Sequence, residues 1–256
     1  MSYAHVLVTR QDAHITITMN RPEQRNALSL EHLQELTEAF EEAAASDATG
    51  IVLAANGPVF SAGHDFRDVG GKDLEEVTFL VQTCADLMQL LQRVPQVVLA
   101  KVHALATAAG AQLVASCDLA VAADTAGFAA PGGKAGWFCH TPMVAIARDI
   151  GRKRAMEMAL TGDVVDASTA LAWGLVNRVV PPEELDAATA ELLVAATRGS
   201  RHSKGRGKRT LYDQLSMGQD EAYRHAVAVM AEASQTADGQ EVAASFLEKR
   251  PPVWQP

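Results

Sequence analysis

Cysteine is scarce. The three present (Cys84, Cys117, Cys139) lie far apart and form no CxxC motif, which sets aside redox and metal sites of that kind. They read as reduced thiols in a cytoplasmic protein. Basic residues are in deficit, with 22 Lys and Arg against 31 Asp and Glu, a net charge of −9. That balance excludes a general nucleic-acid binder. No uninterrupted apolar run is long enough to span a bilayer. The opening stretch, MSYAHVLVTRQDAHI, moves straight into strand-like alternation and reads as neither a signal peptide nor an Arg-rich transit peptide. There is no convincing internal repeat and no long disordered linker.

What is present is ordinary for a globular chain: 256 residues, 48% hydrophobic and 21% charged. The length suits one large domain or two small ones. Alternation over His5 to Thr9 and His14 to Met19, with Gln11 and Asp12 between, predicts an antiparallel hairpin. Ser29 is placed to cap a helix carrying Leu30, Leu33, Leu36 and Phe40. Ile51 to Ala54 predicts a buried strand. Asp73 and Glu76 resemble a capping box for a helix through Val77, Leu80, Val81, Cys84, Leu87, Met88 and Leu91, which Pro95 ends. Val97 to Val102 is almost wholly apolar, as expected of a strand covered on both faces. A short helix from about Ala109 and a strand over Leu119 to Ala122 follow. This rhythm is that of an α/β protein with crossover connections. Past Phe128 helices dominate. Gly162 and Gly174 sit at expected C-caps, and Asp166 at an N-cap. Val176 to Val180 predicts a strand, stopped by Pro181-Pro182.

Two turns stand out. FSAGHDF (Phe60 to Phe66) follows a buried strand, and Gly63 gives its backbone the freedom to turn an N–H inward. ATAAG (Ala106 to Gly110) also follows a buried strand and precedes a helix, whose first N–H groups lack intrahelical partners. Each turn alone is equally well explained by tight packing. Together they offer two N–H donors for one oxygen, the architecture of an oxyanion hole.

With FSAGHDF and ATAAGAQLVASCDLAVA, the segments FAAPGGKAG, MALTGDVVDASTALAWGLVNRVV and FLEKRPPVW form an ordered set. It resembles the enoyl-CoA hydratase/isomerase (crotonase) superfamily over nearly the whole chain, from MNRPEQRNALS onward. The ATAAGAQLVASCDLAVA block and the FCHTP segment point more narrowly to the branch called enoyl-CoA hydratase domain-containing protein 3. The resemblance implies a crotonase (ClpP-like) α/β fold of repeated ββα units. It implies a core over residues 1–195 with the acyl-CoA site, and a C-terminal helical oligomerisation region over residues 196–256. It further implies a homotrimer or dimer of trimers. The ligand would be a coenzyme A thioester, with no separate cofactor, no metal, no nucleic acid and no membrane. The thioester oxygen would be held by the backbone N–H groups of His64 and Ala109.

The resemblance also marks an absence. Hydratases of this family add water with two glutamates, and the matching positions here are Gln112 and Gly132. Neither can transfer a proton at neutral pH, and acid–base catalysis typically contributes about 10² to 10⁴-fold. Nearby residues offer substitutes. Cys139 falls near a carboxylate nucleophile of dehalogenase relatives; it is a candidate nucleophile or proton donor, or an inert buried thiol. His140 is a candidate acid/base or a surface histidine. The His64 side chain is a third candidate. Ala62, Asp65, Phe66, Gln112, Gly132 and Trp137 are candidate substrate contacts, although Asp65 also reads as a structural tie within its loop. Phe138 either shapes the acyl pocket with Trp137 or fills core. Arg25, with Arg21 weaker, would approach the CoA nucleotide. Lys249 with Phe246 beside it would reach a CoA phosphate, often on a neighbouring subunit. The basic stretch RGSRHSKGRGKR (Arg198 to Arg209) reads as a solvated helix and loop rather than an RNA or phosphate site. The function expected is an acyl-CoA enzyme that stabilises a thioester enolate without the hydratase acid/base pair. A non-catalytic acyl-CoA carrier or sensor is the alternative. Restoring both carboxylates, Gln112→Glu with Gly132→Glu, should raise hydration of crotonyl-CoA if the scaffold holds those positions as hydratases do. No rise would mean that the pocket is reshaped as well as stripped.

Overall fold

A computed structural model describes residues 3–255; the first two residues of the stretch read for a leader lie outside them. Strands β1 (Val6–Gln11) and β2 (His14–Met19) form the expected hairpin. Gln11 pairs with His14, so the turn is Asp12-Ala13, not Gln11-Asp12. Asp12 takes a left-handed conformation (φ 53°), which a two-residue hairpin turn requires and Asp tolerates. Ser29 caps α1 (Leu30–Ala45) by accepting the His32 N–H, and Leu33, Leu36 and Phe40 are buried beneath it. Then come β3 (Gly50–Ala55) and α2 (Leu74–Arg93), which opens on a complete capping box. The Asp73 carboxylate accepts the Glu76 N–H, and the Glu76 carboxylate accepts the Asp73 N–H. β4 (Val97–Val102), the two-residue β5 (Ala106–Thr107), α3 (Ala109–Ser116), β6 (Leu119–Ala123) and β7 (Gly127–Ala129) follow.

The chain then turns helical, with α4 (Gly132–Ala135), α5 (Pro142–Ile150) and α6 (Arg152–Thr161). β8 (Val165–Asp166), α7 (Ala167–Trp173) and β9 (Arg178–Val180) come next. The last four elements are α8 (Leu185–Thr197), α9 (Arg201–Gln214), α10 (Gln219–Ala233) and α11 (Ala237–Glu248). Gly162 and Gly174 close α6 and α7 in the left-handed conformation, and Asp166 caps α7 through the Thr169 N–H. β9 begins later than the apolar run from Val176 suggests. Asn177 holds Ala120 twice, once through its backbone N–H and once through its side-chain oxygen, and the ladder starts only after it.

Six strands order as β1-β2-β3-β4-β6-β9, parallel from β2 onward. The central strands are apolar but for Lys101, which reaches Asp186, because both faces are covered. Ile51, Leu53, Val98, Ala100 and Ala122 face the large core that includes α1, α2 and α3. Their neighbours Val52, Ala54, Leu99, Val121 and Ala123 face a smaller core closed by Leu185 and Leu193 of α8. A second sheet, β5-β7-β8, carries the ATAAG turn at the end of its first strand.

Two buried polar groups were not legible from spacing. Asp118, just after α3, accepts from the Val98 N–H and the Tyr212 hydroxyl and pairs with Lys208 at 2.7 Å. Lys208 also donates to the carbonyls of Leu91 and Gln96. The basic stretch is thus not uniformly solvated: this lysine anchors α9 to the core. His32 is fully buried, its Nδ1 bonded to the Ala27 carbonyl and its Nε2 without a partner.

Both groups generate predictions. Removing one member of a buried pair strands the other, at about 3–5 kcal/mol. Lys208→Met should therefore lower the unfolding free energy by that order in urea titrations, and adding Asp118→Asn should recover part of the loss. A drop within error of zero would show that the cluster is solvated. Burial holds the His32 pKa down at about 4. The unfolded chain takes up this proton near pH 6.5 and the folded chain does not. Stability should be complete above pH 7 and fall by about 3 kcal/mol as pH drops to 4. His32→Asn should flatten that part of the pH–stability curve.

Candidate active site

The FSAGHDF turn is built as a short strand between two others. On one side Phe60 N–H bonds the Leu105 carbonyl and Thr107 N–H bonds the Ser61 carbonyl. On the other, Leu28 N–H bonds the Gly63 carbonyl, Asp65 N–H bonds Leu28, and Ala62 N–H bonds Arg25. Two glycines let this segment touch α3 at backbone distance. A Cβ on Gly110 would lie 2.5 Å from the Ser61 carbonyl oxygen. One on Gly63, whose φ is +83°, would lie 2.9 Å from the Ala108 Cβ and 3.3 Å from the Ala109 nitrogen. Ala108 itself sits at φ 48°, a conformation that costs an alanine about 1–3 kcal/mol. That turn sets Ala109 as the first residue of α3, where an N–H has no intrahelical acceptor.

Neither the His64 nor the Ala109 backbone N–H has an acceptor among the described residues. Both residues line a cavity of about 550 Å³. Ala62, Phe66, Gly132, Trp137, Phe138, Cys139 and His140 line it too. Of the residues singled out from sequence, Gln112, Arg25, Asp65, Phe246 and Lys249 lie off its wall. Gln112 is buried one turn into α3, with its side-chain oxygen unpartnered. Asp65 is committed elsewhere. It accepts from the backbone and side chain of Arg67 and from Arg21, and these partners hold its carboxyl well below the usual range. The same contact consumes Arg21 internally, whereas Arg25 is exposed. Phe246 and Lys249 are exposed at the end of α11.

Sequence spacing missed one wall. Val77 and Val81 read as part of the buried stripe of α2, but with Thr78, Gln82 and Ala85 they face the cavity. The buried stripe is narrower, running through Leu80, Cys84, Leu87, Met88 and Leu91. A second apolar row beside the core stripe was the available signal.

The titratable side chains on the wall are His64, Cys139 and His140, and no carboxylate is among the lining residues. His64 stacks obliquely on Trp137 at 6.1 Å, and Trp137 lies 6.0 Å from Phe66. Burial lowers the His64 pKa, so its ring is neutral at neutral pH. Neither ring nitrogen makes a hydrogen bond of normal geometry. Cys139 is buried, and desolvation raises its thiol pKa against a lowering contact from the Gly132 backbone. The only group of described residues placed to share a metal ion lies outside this cavity: His5, Glu31 and Glu35. Its members are already engaged, His5 with Glu31 and Glu35 with the N–H groups of Ala4 and His5.

A profile described as enoyl-CoA hydratase/isomerase matches residues 9–256. The chain belongs to the enoyl-CoA hydratase/isomerase family. Its sequence is 43% identical over 249 residues to mouse enoyl-CoA hydratase domain-containing protein 3, mitochondrial, covering 96% of this chain and 82% of that protein. Its fold superposes on the crystal structure of an enoyl-CoA hydratase from Mycobacterium smegmatis with a TM-score of 0.94, at 42% identity and 98% coverage of both chains. The crystal structure of human enoyl-CoA hydratase domain-containing protein 3 gives the same TM-score at 40% identity, covering 98% of this chain and all of that one. The architecture is the crotonase fold.

Gly132 is more than a missing side chain. A Cβ there would lie 2.1 Å from the Trp137 carbonyl oxygen and 2.9 Å from the Cys139 sulfur. The Trp137–Cys139 loop occupies the space into which a longer residue would extend. Gln112→Glu with Gly132→Glu should therefore give no rise in crotonyl-CoA hydration and should lower the melting temperature. A strong rise would show that the loop yields freely.

Proposed function

We propose that this chain is an enzyme acting on acyl-CoA thioesters, holding the thioester oxygen between the N–H groups of His64 and Ala109. The observation that carries this reading is the pair of unpaired backbone donors, on two segments locked together by Gly63 and Gly110, at the wall of one cavity. The family binds acyl-CoA thioesters, so the oxygen to be held is that of a thioester. Two preorganised donors aimed at a developing enolate oxygen stabilise it, and losing one typically costs about 3 kcal/mol in barrier. Because both are main-chain groups, alanine at 109 supplies what glycine would.

Proton handling falls to Cys139 or His140. With its pKa raised, Cys139 is a thiol at neutral pH, suited to giving a proton to an enolate carbon rather than to attacking a carbonyl. The absence of a lining carboxylate disfavours rapid hydration and leaves isomerisation, decarboxylation, slow hydration or hydrolysis as steps through the same enolate. Coenzyme A arrives as part of the substrate, with no separate cofactor. The trimer or dimer of trimers belongs to this reading, supported by the exposed apolar residues Tyr223, Val227 and Met230 on one side of α10. So does a cytoplasmic location, although the mouse relative is named mitochondrial.

Assay of the purified protein with enoyl-, malonyl- and hydroxyacyl-CoA thioesters should reveal turnover of at least one. Cys139→Ala or His140→Ala should then reduce kcat by about 10² to 10⁴. No turnover above background with any thioester would overturn the enzymatic reading. It would leave the carrier, for which calorimetry should show thioester binding unchanged by either substitution.

A further inference from the structure

The basic stretch is sorted by helical geometry. Lys208 and Tyr212 point from α9 to Asp118 beneath it. Arg201, Gly205, Arg209 and Asp213 form one i, i+4 row, and His202, Arg206 and Thr210 form the row beside it. Both rows line a cleft of about 480 Å³ between α9 and α10, closed by His225, Val229 and Pro95. This cleft is separate from the proposed thioester cavity and shares no lining residue with it.

We infer that the α9–α10 cleft is a second ligand site, selective for a compact phosphate-bearing anion of the pyrophosphate class. Three guanidiniums converge there against one lining carboxylate, Asp213, on a chain whose net charge is −9. Arg209 is exposed and has no ion-pair partner among the described residues. Arg201 makes one long contact of 3.4 Å to the Ser46 carbonyl, and Arg206 is shared with Glu232. Arg201 and His202 stand in the first turn of α9, which contains no acidic residue. An anion there would meet the dipole and the guanidiniums together. Gly205 lets α9 lie against Pro95, where a Cβ would come within 2.9 Å of the Pro95 Cβ, and this forms the floor. On α10 the cleft takes His225 and Val229, whereas the apolar residues Tyr223, Val227 and Met230 lie on the other side of the helix.

Calorimetric titration of the full chain with inorganic pyrophosphate, at fixed ionic strength and in a phosphate-free buffer, tests this. Saturable binding is expected. The double variant Arg201→Gln/Arg209→Ala should weaken it by at least about tenfold, whereas Asp213→Asn, which removes the one lining carboxylate, should tighten it. Acyl-CoA thioester binding should be unchanged in all variants, so this result stands or falls independently of the thioester reading. Absence of saturable binding, equal affinity in the double variant, or saturable binding only of an RNA oligonucleotide would each overturn the inference.

Discussion

The fit between two pieces of backbone governs this molecule's candidate chemistry. The segment through Gly63 and the start of α3 approach so closely that neither Gly63 nor Gly110 has room for a methyl group. That approach brings two N–H groups, on residues distant in sequence, to one wall. Much else serves it. β5 and the Arg25–Leu28 segment flank the turn and hold it as a short strand. Asp65, tied to Arg21 and Arg67, fixes the exit of that strand. Ala108 accepts an unfavourable φ to start the helix in the right place. Preorganisation of this kind is what lets backbone dipoles act without reorganising when charge develops.

The neutral residues near this wall have different physical meanings. Gln112 is buried and carries an unpartnered oxygen, so it occupies its position without filling its hydrogen-bonding capacity. Gly132 is a close approach, because the Trp137–Cys139 loop lies where a side chain would extend. The loop that excludes a side chain at 132 also brings Cys139, His140 and Trp137 to the cavity. One backbone course thus both excludes a side chain at 132 and supplies Cys139, His140 and Trp137 to the cavity wall.

Elements set by local chemistry were legible in the sequence. The Asp73–Glu76 capping box, the Ser29 and Asp166 caps and the glycine C-caps at 162 and 174 depend on neighbours within a few residues. The apolar central strands were legible because two-sided burial leaves few polar positions, Lys101 alone among them in β4. The two N–H-bearing turns were legible because each couples glycine or small residues to a strand end. What distance along the chain separates was not. The Asp118–Lys208 pair joins positions 90 apart, and a lysine within a basic run gives no sign that it is buried. The cavity wall on α2 was hidden because Val77 and Val81 satisfy the same helical period as true core residues. That Gln11 belongs to the strand and not the turn is hidden because hairpin ends differ by a single residue's φ, which composition does not encode.

α3 is only eight residues, about 12 Å of helix. One end presents the Ala109 N–H. Just past the other, Asp118 receives Lys208 and Tyr212 from α9. The helical tail therefore cannot be cut away as an appendage of a self-sufficient core. A chain ended after α8 would strip Asp118 of Lys208 and Tyr212 and leave its carboxylate with only one main-chain donor, at the foot of the helix that carries the Ala109 donor. Oligomerisation through α10 and α11, where it occurs, would bear on a segment mechanically continuous with that donor.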